Sequence, residues 1–395
     1  MFDSLRKPVL AILAFLLAGG CVSHMAAQGK QSILGRLVEF ISAPSRELDP
    51  AAVYQPTPSW NVSVSGDLRH AGIDQRHAFD VGIAMFDEQG LFKEDKVPAH
   101  SYSEIRGNMD KSIGLQVGYG NVSLGWNQKV FGSKDYSNTS MDFDYFGTGY
   151  ALQLQYMDIR KPMDFEMTIG EESDELHYSH VSGETNYPAR LRAFIADLYY
   201  AFNTRTFAYS SVYKGDKVQR RSAGSFMFGT KFINGMVHIR PEEMITTLSG
   251  GLGRYSTTQV SFGGGYSYNL VAFHHQPVEG SDEGLKNLTF NLTAIPMVTL
   301  FNQFTSKLYQ YQSQTEDFPL GEKSSMNGNL KVNYVTRAGM NYTFGKNTLS
   351  LYGSFDTFAF KGETNIPIKD LRVDTVQTIG VFERWSAGIR YGMRF

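Results

Sequence analysis

The feature that most constrains the fold is an alternation of apolar and polar residues with a period of two, which begins near Trp60 and recurs to the end of the chain. In Ile113–Tyr119, for example, large apolar residues alternate with Gly and Gln, and Tyr150–Tyr156 repeats the pattern. Successive side chains of a β-strand point to opposite faces of a sheet, so a period of two indicates strands. The chain is therefore predicted to be all-β from Trp60 onward, with one apolar and one polar face on each strand.

Two architectures accommodate such strands: a soluble sandwich with its apolar faces inside, and a membrane barrel with its apolar faces outside. The segments are roughly ten residues long, which is the length of a tilted transmembrane strand. Aromatic residues such as Tyr150 and Tyr156 fall at strand ends, as in the aromatic girdles of barrels. The polar faces consist mainly of Gly, Ser, Gln and Asn, which suit a hydrated lumen. The sequence therefore predicts a transmembrane antiparallel β-barrel.

Short turns and long polar loops alternate along the chain, as they do in outer-membrane barrels. The long loops are predicted at 87–109, 158–189, 233–256, 303–327 and 361–373. About twelve strands result, with fourteen as the alternative. The predicted strands are 76–86, 110–118, 121–130, 138–145, 149–157, 190–203, 220–232, 257–270, 286–302, 328–344, 347–360 and 374–395. Residues 60–70 either extend the first strand or form an extra segment, and the short-turn connections at 204–219 and 271–285 are longer than expected.

The first residues have the pattern of an export signal. Arg6 and Lys7 precede a ten-residue apolar run, Val9–Ala18, which is too short to span a bilayer as a helix. Residues 1–27 are therefore predicted to be a signal peptide. Two cleavages remain open: processing before Cys21 with lipidation of that cysteine, and ordinary cleavage near Gly20 or Ala27.

Residues 28–59 are predicted to hold a short helix and a proline-rich linker, followed by the barrel at 60–395. Ser32–Ile41 places apolar residues at helical spacing, and this helix either packs on the barrel or lies on a membrane surface. The linker from Asp49 to Trp60 is expected to run extended, without a β-ladder. No later window holds 18 consecutive apolar residues, which excludes a helical membrane protein.

The last strand ends in an apolar stripe formed by Ile389, Tyr391, Met393 and the final residue, Phe395. Such a stripe is typical of the C-terminal signal that the barrel-assembly machinery of bacterial outer membranes reads. Together with the export signal, it indicates the outer membrane of a Gram-negative bacterium. The arginines of the opposite face are predicted to point into the lumen, because a lipid-facing arginine costs about 2–4 kcal/mol at mid-bilayer, although near a rim they would snorkel to water.

The candidate functional residues are polar side chains expected in the lumen. The lumen or selectivity candidates are Arg220, Arg221, Arg390, Arg394, Asp80, Asp197, Gln153 and Gln155. The adjacent Arg220 and Arg221 would form either an anion-favouring constriction or ion pairs with Asp80 and Asp197.

Composition and motifs exclude several other functions. The 37 Lys and Arg are balanced by 39 Asp and Glu, which leaves no basic excess for nucleic acid. The single Cys21 excludes a disulfide scaffold. The common nucleophile-elbow, zinc-protease and phosphate-loop motifs are missing, so no catalytic residue and no cofactor is predicted. His177 and His180 lie beside several carboxylates and are candidates for a divalent cation, with a solvated acidic loop as the simpler interpretation.

Several stretches of the chain resemble domain-of-unknown-function family 4421. They are Asp49-Pro50 with Tyr54 and Pro56, Leu124–Trp126, Asp142–Tyr150, Tyr199–Asn203, Arg220–Ser225, Gly265–Asn269 and Arg384–Phe395. The resemblance implies an outer-membrane β-barrel of the Bacteroidetes type with no established activity, so it supplies no catalytic residues. His274–Leu285 departs from the family pattern as an apparent insertion.

The leading functional hypothesis at this point is a passive pore or transport-type protein of the outer membrane. The first alternative is a structural or surface-binding barrel with a closed lumen that acts through its long loops. The second alternative is an outer-membrane lipid hydrolase, which would need a Ser–His pair at the barrel wall. The expected partners are outer-membrane lipid, the barrel-assembly machinery and a small solute or surface ligand, with no nucleic acid.

Overall fold

The computed structural model describes most of the chain after residue 47. The described residues are 48–56, 60–86, 92–105, 110–131, 136–147, 149–170, 179–248, 251–278, 281–309, 324–327, 331–365 and 375–395. The predicted signal peptide, Cys21 and the predicted helix at 32–41 lie outside these residues. Asp49–Phe395 forms one compact unit. Among the described residues, no helix has the length and apolar character needed to cross a membrane.

Strands dominate the described chain, with two short helices in connections. The elements in chain order are β1 (Val53–Tyr54), β2 (Trp60–Phe86), β3 (Phe92–Ile105), β4 (Asp110–Tyr119), β5 (Val122–Phe131), β6 (Ser137–Phe146), β7 (Tyr150–Lys161), β8 (Asp164–Ile169), β9 (Ser179–Glu184), β10 (Ala189–Ala201), α1 (Ser210–Tyr213), β11 (Val218–Gln219), β12 (Ala223–His238), α2 (Met244–Leu248), β13 (Leu252–His275), β14 (Lys286–Leu308), β15 (Ser324–Asn327), β16 (Val332–Phe344), β17 (Asn347–Asn365) and β18 (Thr375–Arg394).

Twelve of these strands form a closed antiparallel ring. Around the ring the order is β2, β4, β5, β6, β7, β10, β12, β13, β14, β16, β17 and β18. The ring closes because β18 pairs with β2, from Gln377 opposite Ala78 to Arg394 opposite Asn61. A closed ring leaves no strand edge unpaired, which is what a β-structure needs in a bilayer. The predicted all-β transmembrane barrel of about twelve strands is therefore confirmed.

The first barrel strand includes residues 60–70, which is the first of the two alternatives left open by the sequence. Trp60–Arg69 pairs with β4 on one side, so residues 60–70 are the start of β2. From Ile73 onward the same strand pairs with β3, which pairs with β8, which pairs with β9. The predicted loops 87–109 and 158–189 therefore contain strands. Their periodicity is weak because an extension beyond the barrel has no apolar face turned to lipid, whereas the backbone ladder continues.

The outer surface of the barrel is apolar and its inner surface is largely polar. On β2, Trp60 and Val64 are 58% and 52% exposed, while Ser63 and Ser65, on either side of Val64, are buried. On β18, Ile389 and Tyr391 are each 49% exposed. The apolar faces therefore point outward, as the alternation predicts.

Aromatic pairs line the outer surface near the end that holds both Trp60 and Phe395, which we call the terminal end. Examples are the aromatic pairs Trp60–Tyr119, Tyr200–Phe202 and Phe226–Tyr266, whose side-chain ring centroids lie 5.4, 5.3 and 5.3 Å apart.

The opposite end, which we call the far end, is filled by apolar side chains that point inward. We call this cluster the far core. It includes Ile73, Ile105, Ile159, Leu191, Ile195, Ile233, Tyr255, Phe304, Phe358, Phe360 and Phe382. The rings of Phe304 and Phe360 stack with centroids 6.3 Å apart. The hydrated lumen predicted from the strand faces is thus limited to the part of the barrel nearer the terminal end.

Candidate functional site

The connection between β10 and β12 folds back into the lumen from the terminal end. We call residues 204–219, which contain α1 and β11, the plug. Inward-facing side chains of three barrel strands hold its backbone. Asn269 and Asn341 donate their amide hydrogens to the carbonyls of Ala208 and Ser211, at 2.9 and 3.0 Å. Arg390 donates to the carbonyl of Tyr213 at 2.7 Å. The plug is therefore bonded to the wall on several sides.

Side chains of the plug also reach the wall. The hydroxyl of Tyr213 donates to Asn291, and the ammonium of Lys214 donates to the carbonyl of Gly120 at 3.0 Å. Burial lowers the pKa of Lys214 to about 8, against the opposing effect of nearby Asp216. Burial by itself would raise the pKa of Asp216, but Lys217 and Lys214 lower it below its ordinary value. The plug therefore places a group of interacting charges inside the barrel mouth.

A glycine in the wall makes room for the plug. A Cβ atom on Gly339 of β16 would lie 2.6 Å from Cγ1 of Val212 in α1, closer than real Cβ contacts allow. The plug therefore packs directly against the backbone of β16 at this position. A larger residue at Gly339 therefore requires Val212 or the plug backbone to shift.

Gly339→Val is expected to displace the plug while leaving the barrel folded. Valine suits a strand, but overpacking costs about 1–3 kcal/mol, which corresponds to roughly tenfold faster tryptic cleavage within 204–219. Proteolysis of the refolded protein measures this rate. Gly66→Val is the matched control, because a Cβ on Gly66 meets nothing within 4 Å. Equal cleavage rates in the two variants would contradict the packing of α1 on Gly339.

The segment before the barrel crosses the plug at the terminal end. We call residues 49–54 the strap. Val53 and Tyr54 pair with Gln219 and Val218 of the plug, so the expectation of an extended linker without a ladder is wrong. The reason is that the plug offers β11 as a strand edge, which the linker sequence alone does not reveal.

Arg220 fixes the strap at the barrel mouth. Its guanidinium donates to the carbonyl of Pro50 at 2.7 Å and lies 5.1 Å from the ring centroid of Tyr54. The hydroxyl of Tyr54 donates to Asp282 at 2.9 Å, and Arg394 lies 3.2 Å from the same carboxylate. The strap is thus tied to the plug and to the turn between β13 and β14.

A buried network of charges lies in the middle of the lumen. We call Asp197, Lys231, Arg337, Asp356 and Arg384 the central network. The ammonium of Lys231 lies 2.9 Å from Asp356 and 3.3 Å from Asp197. Arg384 also pairs with Asp356, and Arg337 lies 3.4 Å from Asp197. Each charge therefore has an opposite charge in direct contact, as buried ions require.

Two glutamines of β7 connect this network to two aspartates of β6. Gln153 donates to Asp144 at 3.1 Å, and its carbonyl accepts a hydrogen bond from Arg337. Gln155 likewise donates to Asp142 and accepts from Arg384. Two parallel carboxylate–amide–guanidinium chains thus cross the lumen.

A polar cavity of about 190 Å³ lies beside these chains. Its lining includes Asp142, Asp144, Arg337, Arg384, Arg390 and Tyr213. The plug side chain of Tyr213 forms part of its wall, so the cavity lies between the plug and the central network. This volume holds several waters or one small solute.

The predicted lumen candidates fall into two groups. Gln153, Gln155, Asp197 and Arg390 line the lumen, where the first three belong to the chains and network described above. Arg394 is also buried on the inward face of β18, at the terminal mouth. Arg220 lies at the same mouth, and the side chains of Arg221 and Asp80 are exposed. The alternative in which Arg220 and Arg221 pair with Asp80 and Asp197 does not hold, because Asp197 pairs with Lys231 and Arg337 and Asp80 lies on the far extension of β2.

Sequence reasoning missed most charges of the central network and the plug. The four missed charges each occupy an inward position of a predicted strand, and a charge on that face could have indicated a buried ion pair. They are Lys231, Arg337, Asp356 and Arg384. In the sequence, the plug is indicated only by the unexpected length of the connection at 204–219.

The cation candidates do not form a site in the described part of the chain. His180 is on β9, where its Nε2 lies 3.7 Å from Oε1 of Glu166 and both side chains are well exposed. His177 lies outside the described residues. Where the structure describes the chain, no three His, Cys, Asp or Glu side chains come together to hold a metal ion.

Three of the described histidines form side-chain hydrogen bonds. His77, His238 and His274 contact the side chains of Thr378, Tyr309 and Asn287, at 2.9, 3.1 and 3.2 Å.

Several solved outer-membrane proteins are distantly similar to this chain in structure. The outer membrane protease OmpT from Escherichia coli has 10% sequence identity, with 86% of this chain and 99% of that chain covered and a TM-score of 0.31. The β domain of the Bordetella autotransporter BrkA has 11% identity, with 82% and 100% covered and a TM-score of 0.30. The outer membrane protein OprG from Pseudomonas aeruginosa has 10% identity, with 86% and 98% covered and a TM-score of 0.27. Scores this low carry no inference about activity.

No curated protein matches the sequence significantly. Residues 87–377, well over half of the chain, match the sequence profile of a family described as domain of unknown function (DUF4421). The match runs from the β2–β3 connection into β18 and therefore includes the plug and four residues of the central network, while the fifth, Arg384, lies beyond it. The chain belongs to the DUF4421 family.

Proposed function

We propose that this protein is a β-barrel of the bacterial outer membrane that has a closed lumen and acts as a structural or surface-binding protein at its far end. The observation that carries the proposal is the plug, which inward-facing side chains such as Asn269, Asn341 and Arg390 hold inside the terminal mouth. Beyond the plug lies the polar cavity that the central network lines, and the far core packs across the far part of the lumen.

The outer surface supports a membrane location. Large apolar side chains are exposed around the ring, and the stripe of the last strand faces outward with Phe395 59% exposed. Exposed apolar surface of this extent is stable only against lipid or a partner. The export signal, the Gram-negative origin and recognition of the last strand by the assembly machinery remain predictions from sequence.

The interior favours the closed barrel over the passive pore. Open aqueous channels are typical of barrels with sixteen or more strands, whereas smaller barrels are filled by side chains or hold one small ligand. Here the far core packs Phe304, Phe358 and Phe360 across the lumen, and each is at most 2% exposed. A hydrated solute would have to displace this packed apolar layer.

The far end offers the surface for binding. The extension of β2 pairs through β3 and β8 to β9, so a sheet rises beyond the ring at this end. Most side chains of Ser179–Glu184 are exposed. This sheet lies at the far end, where a ligand outside the cell would meet it.

Single-channel recording in planar bilayers tests the closed lumen. The refolded chain without its predicted signal peptide is expected to give no steady conductance. A chain that also lacks residues 28–58 is expected to remain silent, because the plug keeps its bonds to Asn269, Asn341 and Arg390 without the strap. Steady conductance in the first protein would overturn the proposal and support the passive pore, and conductance only in the second would make the strap part of a gate.

A further inference from the structure

Basic residues lie directly opposite one another across five neighbouring barrel strands. Arg160 of β7 is opposite Arg190 of β10, which is opposite His238 of β12. His238 is in turn opposite Arg254 of β13, and Arg254 is opposite Lys307 of β14. We call these five residues the basic row. Because neighbouring strands are about 4.8 Å apart, the row extends over roughly 19 Å.

The row lies on the outer surface of the barrel. Leu191, Val237 and Tyr255, each next to a row residue in its strand, are buried inside. Since successive side chains alternate between the faces, the row residues themselves point outward, and Arg160 and Arg254 are exposed.

The row lies on the far side of the apolar belt, close to Phe194 on β10. On β13, by contrast, the outward residues Ser256 and Thr258 lie between Arg254 and the belt. Toward the terminal end, the same outward faces carry Phe194 and Phe232, whose ring centroids lie 6.2 Å apart, and then Leu198 and Phe262. Cationic side chains placed just beyond an apolar belt lie where lipid headgroups meet the hydrocarbon, and long side chains there reach the headgroups.

The positive charge of the row is only partly compensated. Arg192 adds a further cation on the same outward face, opposite Asp158. Arg190 donates to Asp158 through Nε at 2.9 Å, and Nε of Arg192 lies 3.8 Å from the same carboxylate. Among the described residues, Asp158 is the carboxylate that contacts the row, so one negative charge faces four arginines and a lysine.

Such a row is unfavourable without an anion. Like charges directly opposite on neighbouring strands destabilise a sheet. Arginine forms paired hydrogen bonds with phosphate, and basic groups at a membrane surface attract anionic lipid. We propose that the basic row binds the phosphate groups of anionic lipid headgroups in the leaflet at the far end of the barrel. This inference rests on the proposed membrane location, but it requires neither an open nor a closed lumen.

Lipid retention by the full chain tests this site. The protein in an uncharged detergent is mixed with phosphatidic acid or with phosphatidylcholine of the same acyl chains, and native mass spectrometry counts the lipid that remains bound. The wild type is expected to retain phosphatidic acid preferentially. Arg254→Gln with Lys307→Gln is expected to reduce that preference roughly tenfold or more, because each basic group contributes to the attraction.

The control variant, Lys111→Gln with Lys346→Gln, removes two exposed cations that lie outside the basic row. It is expected to keep the preference for phosphatidic acid. Inorganic phosphate at the concentration of the lipid is expected not to displace it. The proposal is overturned if the wild type shows no preference, if the row variant retains it, if the control loses it equally, or if inorganic phosphate displaces the lipid. Insertion into vesicles and conductance of the same preparations report separately on the proposed membrane location and the closed lumen.

Discussion

Asp356→Ala is expected to lower the free energy of unfolding by about 3–5 kcal/mol, the usual cost of leaving buried ions without a partner. Asp356 is 1% exposed and contacts both Lys231 and Arg384. Among the described residues, its removal leaves Arg384 with its hydrogen bond to Gln155, while Lys231 keeps the longer ion pair with Asp197 and its position 4.7 Å from the ring centroid of Phe358. Urea unfolding in lipid vesicles, followed by tryptophan fluorescence, measures the loss.

Asp80→Ala is the matched control, because the Asp80 side chain is exposed, and it is expected to stay within about 0.5 kcal/mol of the wild type. A second variant, Asp356→Leu with Lys231→Met, is expected to recover part of the stability, since apolar replacement of a buried pair is often neutral. A loss below about 1 kcal/mol in Asp356→Ala would show that water reaches the central network and solvates it.

Steady conductance is expected only when the plug and the far core are both removed from the lumen. Replacing residues 206–217 with a short turn opens the terminal mouth, and Phe304→Ser with Phe360→Ser opens the far core. Either change alone is expected to leave the barrel silent, because the other closure remains in series. The combined variant is expected to give steady channels in planar bilayers.

This comparison requires that the barrels fold, since each loss of a buried phenylalanine costs about 3–5 kcal/mol. Heat-modifiable migration on gels identifies the folded fraction of every variant before recording. Phe226→Ser combined with the shortened plug is the control, because Phe226 is 70% exposed on the outer surface, and it is expected to remain silent. Channels in the barrel with the shortened plug alone would show that the far core does not seal the lumen.

The sequence predicts the barrel well because the bilayer imposes a strict pattern on its strands. A strand such as Asp110–Tyr119 must present apolar residues to lipid and polar residues to the lumen, so its period is visible in the sequence. The outward stripe of Ile389, Tyr391, Met393 and Phe395 follows the same rule. Beyond the belt this constraint disappears, and for that reason the sheet from β3 to β9 was expected to be loop.

The candidate site was predicted less completely because its residues meet only through the closed ring. Gln153 and Asp197 were recognised as inward-facing, but their partner Arg337 is more than a hundred positions away in the sequence. The plug has no period of its own, since Tyr213 and Lys214 interact with the wall rather than with a regular neighbouring strand. Its docking depends on Gly339, and no local pattern links that glycine to Val212.

Closure of the ring by β2 and β18 has a consequence for the order in which we expect the barrel to form. These two strands stand at opposite ends of the barrel sequence, so their pairing has the longest loop to close, and we expect it to form last. The plug lies between β10 and β12, near the middle of the chain. If the sheet grows from its middle strands, it carries the plug with it, and the final seam closes around a lumen that is already occupied. A barrel that forms by this route would not pass through an empty pore.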